Sequence, residues 1–251
     1  MHGDSASKLT VDNNAVYVGT GELMISSTVF TNNSSITQST VTVDKDSIFT
    51  SDADNVKTIE KIAAEGTVEF TGGTNKNIID GNGQLIISGD VINSTGTSIS
   101  LSSITVASGS FETSANDITT TDGVLNDAEL TLTGGTLAAS NTITGSGNLT
   151  VTDNLDNNAA ITQTAIALNK GTFKNVRGSS VTATTVTAAD DTVIITDAGD
   201  LQITDMNLGS NSLLNLLDDS DAELSANITG DAAITKQGYG TVTLTGNNGY
   251  S

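Results

Sequence analysis

Ile36-Thr-Gln-Ser-Thr-Val-Thr-Val43, Ile99-Ser-Leu-Ser-Ser-Ile-Thr-Val106 and Ile161-Thr-Gln-Thr-Ala-Ile-Ala-Leu168 are three versions of one stretch, each closely followed by a phenylalanine. Phe49, Phe111 and Phe173 recur at one fixed spacing (111 − 49 = 62; 173 − 111 = 62). Beyond each phenylalanine comes another short strand-like segment: Thr67-Val-Glu-Phe-Thr71, Glu129-Leu-Thr-Leu-Thr133 and Val193-Ile-Ile-Thr196. A second marker, Gly-x-Gly-x-Leu-x-Ile/Val-Ser/Thr, runs through the same blocks at Gly19–Ser26, Gly81–Ser88 and Gly145–Thr152, with weaker copies at Asp197–Thr204 and Gly238–Thr245. A fixed period of this kind is the signature of a solenoid, in which each unit buries its apolar face against its neighbours.

Apolar and polar residues alternate in Val41-Thr-Val43, Val68-Glu-Phe70, Leu130-Thr-Leu132, Leu149-Thr-Val151 and Val242-Thr-Leu244. Alternation puts the aliphatics on one side of a strand and the threonines on the other. Gly, Asn and Asp close each segment, and these residues tolerate the positive φ of sharp turns. A 62-residue block holding at least three such strands divides into roughly three units of about 20 residues, the circumference of one parallel β-helix rung stacked at about 4.8 Å. The expected fold is therefore all-β, a single-stranded parallel β-helix of about a dozen rungs and on the order of 50–60 Å long. Val41, Val43, Phe49, Val68 and Phe70 are expected to face one interior. Ile104, Val106, Phe111, Leu130 and Leu132 are expected to stack in register with them. Val56, Ile59 and Ile62 have helical spacing, but the block length leaves no room for an inserted helix, so 54–66 reads as an irregular rung. A propeller would need blades of about 40–50 residues with aromatic signatures, and only 3% of this chain is aromatic.

The formal net charge is −20, from 29 acidic and 9 basic residues. Lys45, Lys57, Lys61, Lys170, Lys174 and Arg177 form no run, which argues against a nucleic-acid or anionic-membrane partner. Charged residues make up 15% of the chain, below the typical ~25%, and Thr, Ser, Asn and Asp fill the difference. Cysteine is absent, so neither disulfides nor thiolate metal sites form, and proline is absent too. No apolar run approaches the roughly 18 residues of a membrane-spanning helix. Residues 1–9, with Met1-His2-Gly3, read as a vector-derived leader or disordered start, and 10–251 as the β-helix with its 62–64-residue super-repeats.

The stretch Asp221–Tyr250 resembles the autotransporter-associated β-strand repeat of bacterial type V secreted proteins. Ile228, Gly230, Lys236, Gly238, Gly240, Thr241, Leu244, Gly246, Asn247 and Tyr250 match its pattern. Asp231-Ala232, Ile234 and Val242 depart from it while keeping a turn or an aliphatic. The resemblance implies a right-handed β-helix. It also implies a fragment of a passenger displayed on the bacterial surface through an outer-membrane barrel that lies beyond this chain. The family carries adhesins, so the expected role is adhesion or self-association. The partner would be a host or bacterial surface protein, a glycan or another copy, with no membrane insertion of this segment. The alternative is a stalk presenting an effector domain; less favoured are a polysaccharide-acting enzyme and an ice-binding solenoid.

The residues themselves offer little chemistry. His2 is the sole histidine, so no serine has an imidazole to activate it. The Gly-x-Gly segments lack the helix and Lys-Ser/Thr of a phosphate loop. Asp190-Asp191 and Asp218-Asp219-Ser220-Asp221 are the strongest carboxylate groupings, and paired carboxylates could cleave a glycosidic bond. With no basic company they read as solvated turns. Calcium could use the oxygen ligands of Asp52, Asp54 and Asn55, or of 218–221, but no EF-hand loop or Gly-Gly-x-Gly-x-Asp repeat supports it. No catalytic, cofactor or metal residue is assigned. Thr182-Ala-Thr184, Thr185-Val-Thr187 and Thr241–Thr245 loosely fit a water-ordering array, but Thr is equally a good strand-surface residue.

Overall fold

The structure is a computed structural model that describes residues 9–250. It is a β-solenoid of about 13 turns, with 60% of residues in strands and 4% in helix. The leader assignment of 1–9 lies outside the described residues apart from Leu9, which opens the first strand, Leu9–Asn13.

Strands pair in parallel with the turn before and the turn after. Val29 pairs with Ile48, Ile48 with Thr67, Gln84 with Ser103 and Val124 with Ile143, so partners are separated in sequence by one circuit of the chain (48 − 29 = 19; 143 − 124 = 19). Each turn presents three faces. Face 1 is built from Thr28–Asn32, Ile48–Ser51, Thr67–Phe70, Gln84–Ile87, Ser103–Val106, Val124–Asn126 and Ile143–Thr144, and continues through 161–163, 181–183 and 201–203. Face 2 runs from Gly73–Asn75 through Val91–Asn93, Ser110–Thr113, Glu129–Leu132 and Asn148–Val151 to 165–168, 185–188, 205–208 and 227–230. Face 3 begins as a seven-stranded sheet that includes Ile36–Val43, Val56–Ala64, Ile79–Asp80 and Ile99–Leu101. It resumes as Gly135–Leu137, Leu155–Asn157, Thr172–Asn175 and Val193–Thr196. Late strands such as Leu201–Leu216 bend round two corners and serve all three faces.

The core follows from the alternation. Val41, Val43, Phe49, Val68, Phe70, Ile104, Val106, Phe111, Leu130 and Leu132 are all buried in one continuous interior, as expected. Their register differs from the expectation. Phe49 stacks on Val68, Leu85 and Ile104 along face 1, which takes three full turns (104 − 49 = 55). Phe111 comes seven positions after Ile104, on face 2 between Val91 and Leu130. Three more turns lead from Phe111 through Leu130 and Leu149 to Ile166 (166 − 111 = 55). Phe173 again lies seven positions beyond, on face 3 between Leu155 and Ile194. The period of the sequence is thus three and a third turns, and equivalent residues are rotated by a third of a turn rather than stacked.

The Gly-x-Gly markers rotate with the phenylalanines, since each pair precedes a strand on a different face. In the second and third markers the glycines sit where one turn presses on the next. Gly81 has φ 145° and Gly145 φ 120°. A Cβ at Gly81 would stand 2.0 Å from the Ala64 carbonyl oxygen, and one at Gly145 2.2 Å from that of Asn126. Only glycine fits such corners. The irregular rung at 54–66 is a 3-10 turn, Ala53–Asn55, followed by the nine-residue strand Val56–Ala64. Gln38 pairs with Thr58 but Thr40 pairs with Lys61, so the strand bulges by one residue. The bulge sends Ile59 outward, 71% exposed, while Val56 and Ile62 remain buried. That is the origin of the helix-like spacing.

In a stack where each turn touches only its neighbours, damage stays local. Phe111→Ala is expected to cost ~3–5 kcal/mol of local stability. Amide exchange should rise in 85–150 while the 238–245 region stays comparatively protected. A uniform rise along the whole chain would contradict this picture.

Candidate functional site

Eight asparagines are buried against the core or at its corners: Asn32, Asn75, Asn77, Asn93, Asn126, Asn141, Asn157 and Asn175. A buried amide must find partners for both its ends, and here the neighbouring turns supply them. Asn13 Nδ2 donates to Asn32 Oδ1 at 2.8 Å, and Asn32 Nδ2 donates to Ser51 Oγ at 3.0 Å. The same ladder recurs with Asn75, Asn93 and Thr113 at 2.8 and 3.2 Å. It recurs again with Asn157, Asn175 and Thr196 at 2.7 and 3.3 Å. In each case the hydroxyl passes a hydrogen bond to the carbonyl of the next residue, and a 3-10 turn follows: Ala53–Asn55, Ala115–Asp117 and Ala198–Asp200. The three ladders lie on faces 1, 2 and 3 in turn, the same rotation as the phenylalanines. Asn77 and Asn141 act differently. Each side-chain amide accepts from one backbone N–H of the preceding turn and donates to its carbonyl, replacing a peptide group where the strand pairing lapses. Among the described residues the one buried side-chain polar atom without a partner is Thr192 Oγ1.

The acidic clusters singled out in the sequence are placed in corners. Asp52 Oδ1 accepts from Asp54 N at 2.9 Å and caps the first 3-10 turn. Asp190 Oδ1 accepts from Ser210 N at 2.8 Å, and Asp191 adopts φ 59°. Asp218 is buried with both carboxylate oxygens on Ala198 N, at 2.9 and 3.0 Å. Gly72 and Gly134 carbonyls fill that role for Ala53 and Ala115 in the earlier copies. Arg177 bridges the last of these corners. Its Nε lies 2.6 Å from Asp197 Oδ2, a guanidinium nitrogen lies 3.0 Å from Asp219 Oδ2, and another donates to the Leu217 carbonyl at 3.1 Å. The hydrogen bond from Arg177 holds the Asp219 carboxyl below its usual range, and the two aspartates in turn raise the Arg177 pKa. Among the described residues no group of three or more His, Cys, Asp or Glu is arranged to hold a metal ion.

What the fold leaves outside is a set of long flat faces. All eight described lysines and arginines lie on face 3 or at its borders: Lys45, Lys57, Lys61, Lys76, Lys170, Lys174, Arg177 and Lys236. Lys61 pairs with Asp80 of the next turn at 3.0 Å. Face 1 carries rows of Thr and Ser. Thr182 belongs to it and Thr184 stands at the corner, whereas Thr185 and Thr187 lie past that corner on face 2, where they pair with Ala165 and Ala167 on one side and Asp205 and Asn207 on the other. The expected Thr-x-Thr pairs are therefore split between two faces. Reading along the chain misses the asparagine ladders, although the pairs Asn13/32, Asn75/93 and Asn157/175 repeat at nearly one spacing (32 − 13 = 19; 93 − 75 = 18; 175 − 157 = 18).

In the Asp221–Tyr250 stretch the glycines serve close contacts between turns. A Cβ at Gly230 would lie 1.9 Å from the Leu208 carbonyl oxygen, and one at Gly240 2.1 Å from that of Ser220. Lys236 Nζ donates to the Asp218 carbonyl at 2.9 Å. A comparison with known protein families, curated proteins and solved structures finds no match to this chain.

Asn175→Ala removes the donor to the Thr196 hydroxyl and leaves one N–H of the Asn157 amide without its acceptor, and an unpaired buried group costs ~1–3 kcal/mol. Denaturant melts should show that loss, with Asn175→Asp less harmful than Asn175→Ala only where its oxygen still accepts from Asn157. The Asp219 carboxyl contributes stability above the ordinary carboxylate range and loses it as pH falls through its lowered folded pKa. In Arg177→Ala the Asp219 titration, followed by NMR, should move back up toward the ordinary value. An unmoved titration would remove Arg177 as the cause.

Proposed function

We propose that this chain is a non-enzymatic passenger segment of a bacterial surface protein of the autotransporter type, working by adhesion or self-association. The observation that carries this reading is the outer surface: Thr recurs at the outward position of face 1, at Thr105, Thr144, Thr162 and Thr182. A single neutral hydrogen bond adds only ~0.5–1.5 kcal/mol net, so useful affinity requires many contacts along a rod or many rods per cell. The resemblance of Asp221–Tyr250 to the passenger repeat supplies the surface location.

A second reading is the stalk, favoured by the buried asparagine ladders that tie successive turns together. The two differ in what deletion does. Cells displaying the full passenger are expected to clump or adhere, more strongly as salt rises from low values or divalent cations are added, because like-charged rods repel over about 8 Å at physiological ionic strength. Deleting 10–251 should abolish that behaviour. If the displayed protein causes no clumping or adhesion across that salt range, the stalk reading replaces this one.

A further inference from the structure

Face 1 loses its charge over seven consecutive turns. From Gln84–Ile87 to 201–204, the outward strand residues are Gln, Ile, Ser, Thr and Leu, none of them ionisable. Its central row reads Ile86, Thr105, Leu125, Thr144, Thr162, Thr182 and Gln202, and Leu125 is 42% exposed. Glu69 bounds the strip at one end, Asp200 at the other, and Asp127 stands at its edge beside Ser146. Face 2 over the same turns carries Glu112, Glu129 and Asp205, and face 3 carries Asp80, Asp156 and Lys174.

We infer that this strip is the surface through which two copies of the chain pack, face 1 against face 1. This rests on the self-association reading above and names its surface. In a chain of net charge −20, two identical rods repel wherever carboxylates face each other. Along the strand rows of face 1 no charge opposes another, and the flanking carboxylates of Asp122 and Asp127 stay at the edges. Thr and Ser lose little side-chain entropy on burial compared with Lys, Arg or Glu. Seven strands at about 4.8 Å by at most four positions at about 3.3 Å make a strip of roughly 440 Å². Doubling it gives about 900 Å², in the range of weak, transient contacts and below that of stable interfaces. The contact is therefore weak and reversible, and many rods on one surface would multiply it. A two-fold pairing brings the middle strand, Ile143–Thr144, against its own copy.

The absence of cysteine makes the test clean. Thr144→Cys should form a disulfide-linked dimer under mild oxidation, and Thr131→Cys on face 2 should form at least tenfold less. By sedimentation velocity at about physiological salt, the unmodified chain should dimerise reversibly at high concentration. Thr105→Asp with Thr162→Asp should abolish the dimer, while Thr131→Asp with Thr187→Asp on face 2 should leave it intact. Unchanged circular-dichroism melts would show that the variants fold. A dimer that survives the face 1 charges overturns the assignment of the face but leaves self-association standing. A chain that stays monomeric at every concentration and salt overturns this surface. If displayed cells also fail to clump, self-association goes with it.

Discussion

Every strand in this molecule depends on the turn above and the turn below for its backbone hydrogen bonds. A short strand cannot satisfy its own N–H and C=O groups, and buried peptide groups left unpaired are costly. The parallel stack satisfies them once per turn, and the side-chain alternation then decides what lies inside. Where the chain must bend and the ladder lapses, asparagine amides take over, as Asn77 and Asn141 do by bonding both to an N–H and to a carbonyl of the preceding turn. Core, corner glycines and asparagine ladders are consequences of that one requirement.

The mismatch between the sequence period and the turn has a structural effect. Because one period makes three and a third turns, no face inherits a motif by simple repetition. Phe49, Phe111 and Phe173, the three ladders and the three Gly-x-Gly corners are each distributed once round the rod. Equivalent aromatic rings do not stack on one another, and among the described residues the one aromatic pair is Phe30 with Phe49, centroids 6.0 Å apart. The uncharged strip on face 1 therefore draws its residues from three different phases of the repeat. Repetition of one neutral segment did not produce it.

The architecture and the inward residues were legible because alternation and turn residues are local signals. The phase was not. Dividing the period by three gives a tempting unit length, and nothing local distinguishes three turns from three and a third. Only the pairing of Phe111 with Val91 and Leu130, rather than with the ladder of Phe49, settles it. At 54–66 helical spacing was mimicked because the bulge leaves an apolar residue, Ile59, outside, midway between the inward Val56 and Ile62. The asparagines escape notice for a different reason. As turn residues they are ordinary, and their burial becomes visible only when successive turns are laid side by side. The acidic clusters do lie in turns, but their partners, N–H groups one turn away, cannot be read along the chain.

Those partners bear on why the rod is so acidic. Carboxylates of Asp117, Asp127, Asp190, Asp200, Asp218 and Asp221 each accept from a backbone N–H about one turn away. Asn116, Asn154 and Asn227 do the same job at equivalent corners with a neutral oxygen, at 2.9, 2.8 and 2.8 Å. Capping a corner therefore needs an acceptor but not a charge. The negative charge exceeds what the fold requires, and its physical effect is long-range: it keeps rods apart and a large polar surface soluble. Placed at corners, on faces 2 and 3, and on face 1 outside the neutral strip, as at Glu69, it penalises most ways of bringing two copies together. It penalises the approach along the neutral strip of face 1 least, so the corners that close each turn also restrict how two rods can meet.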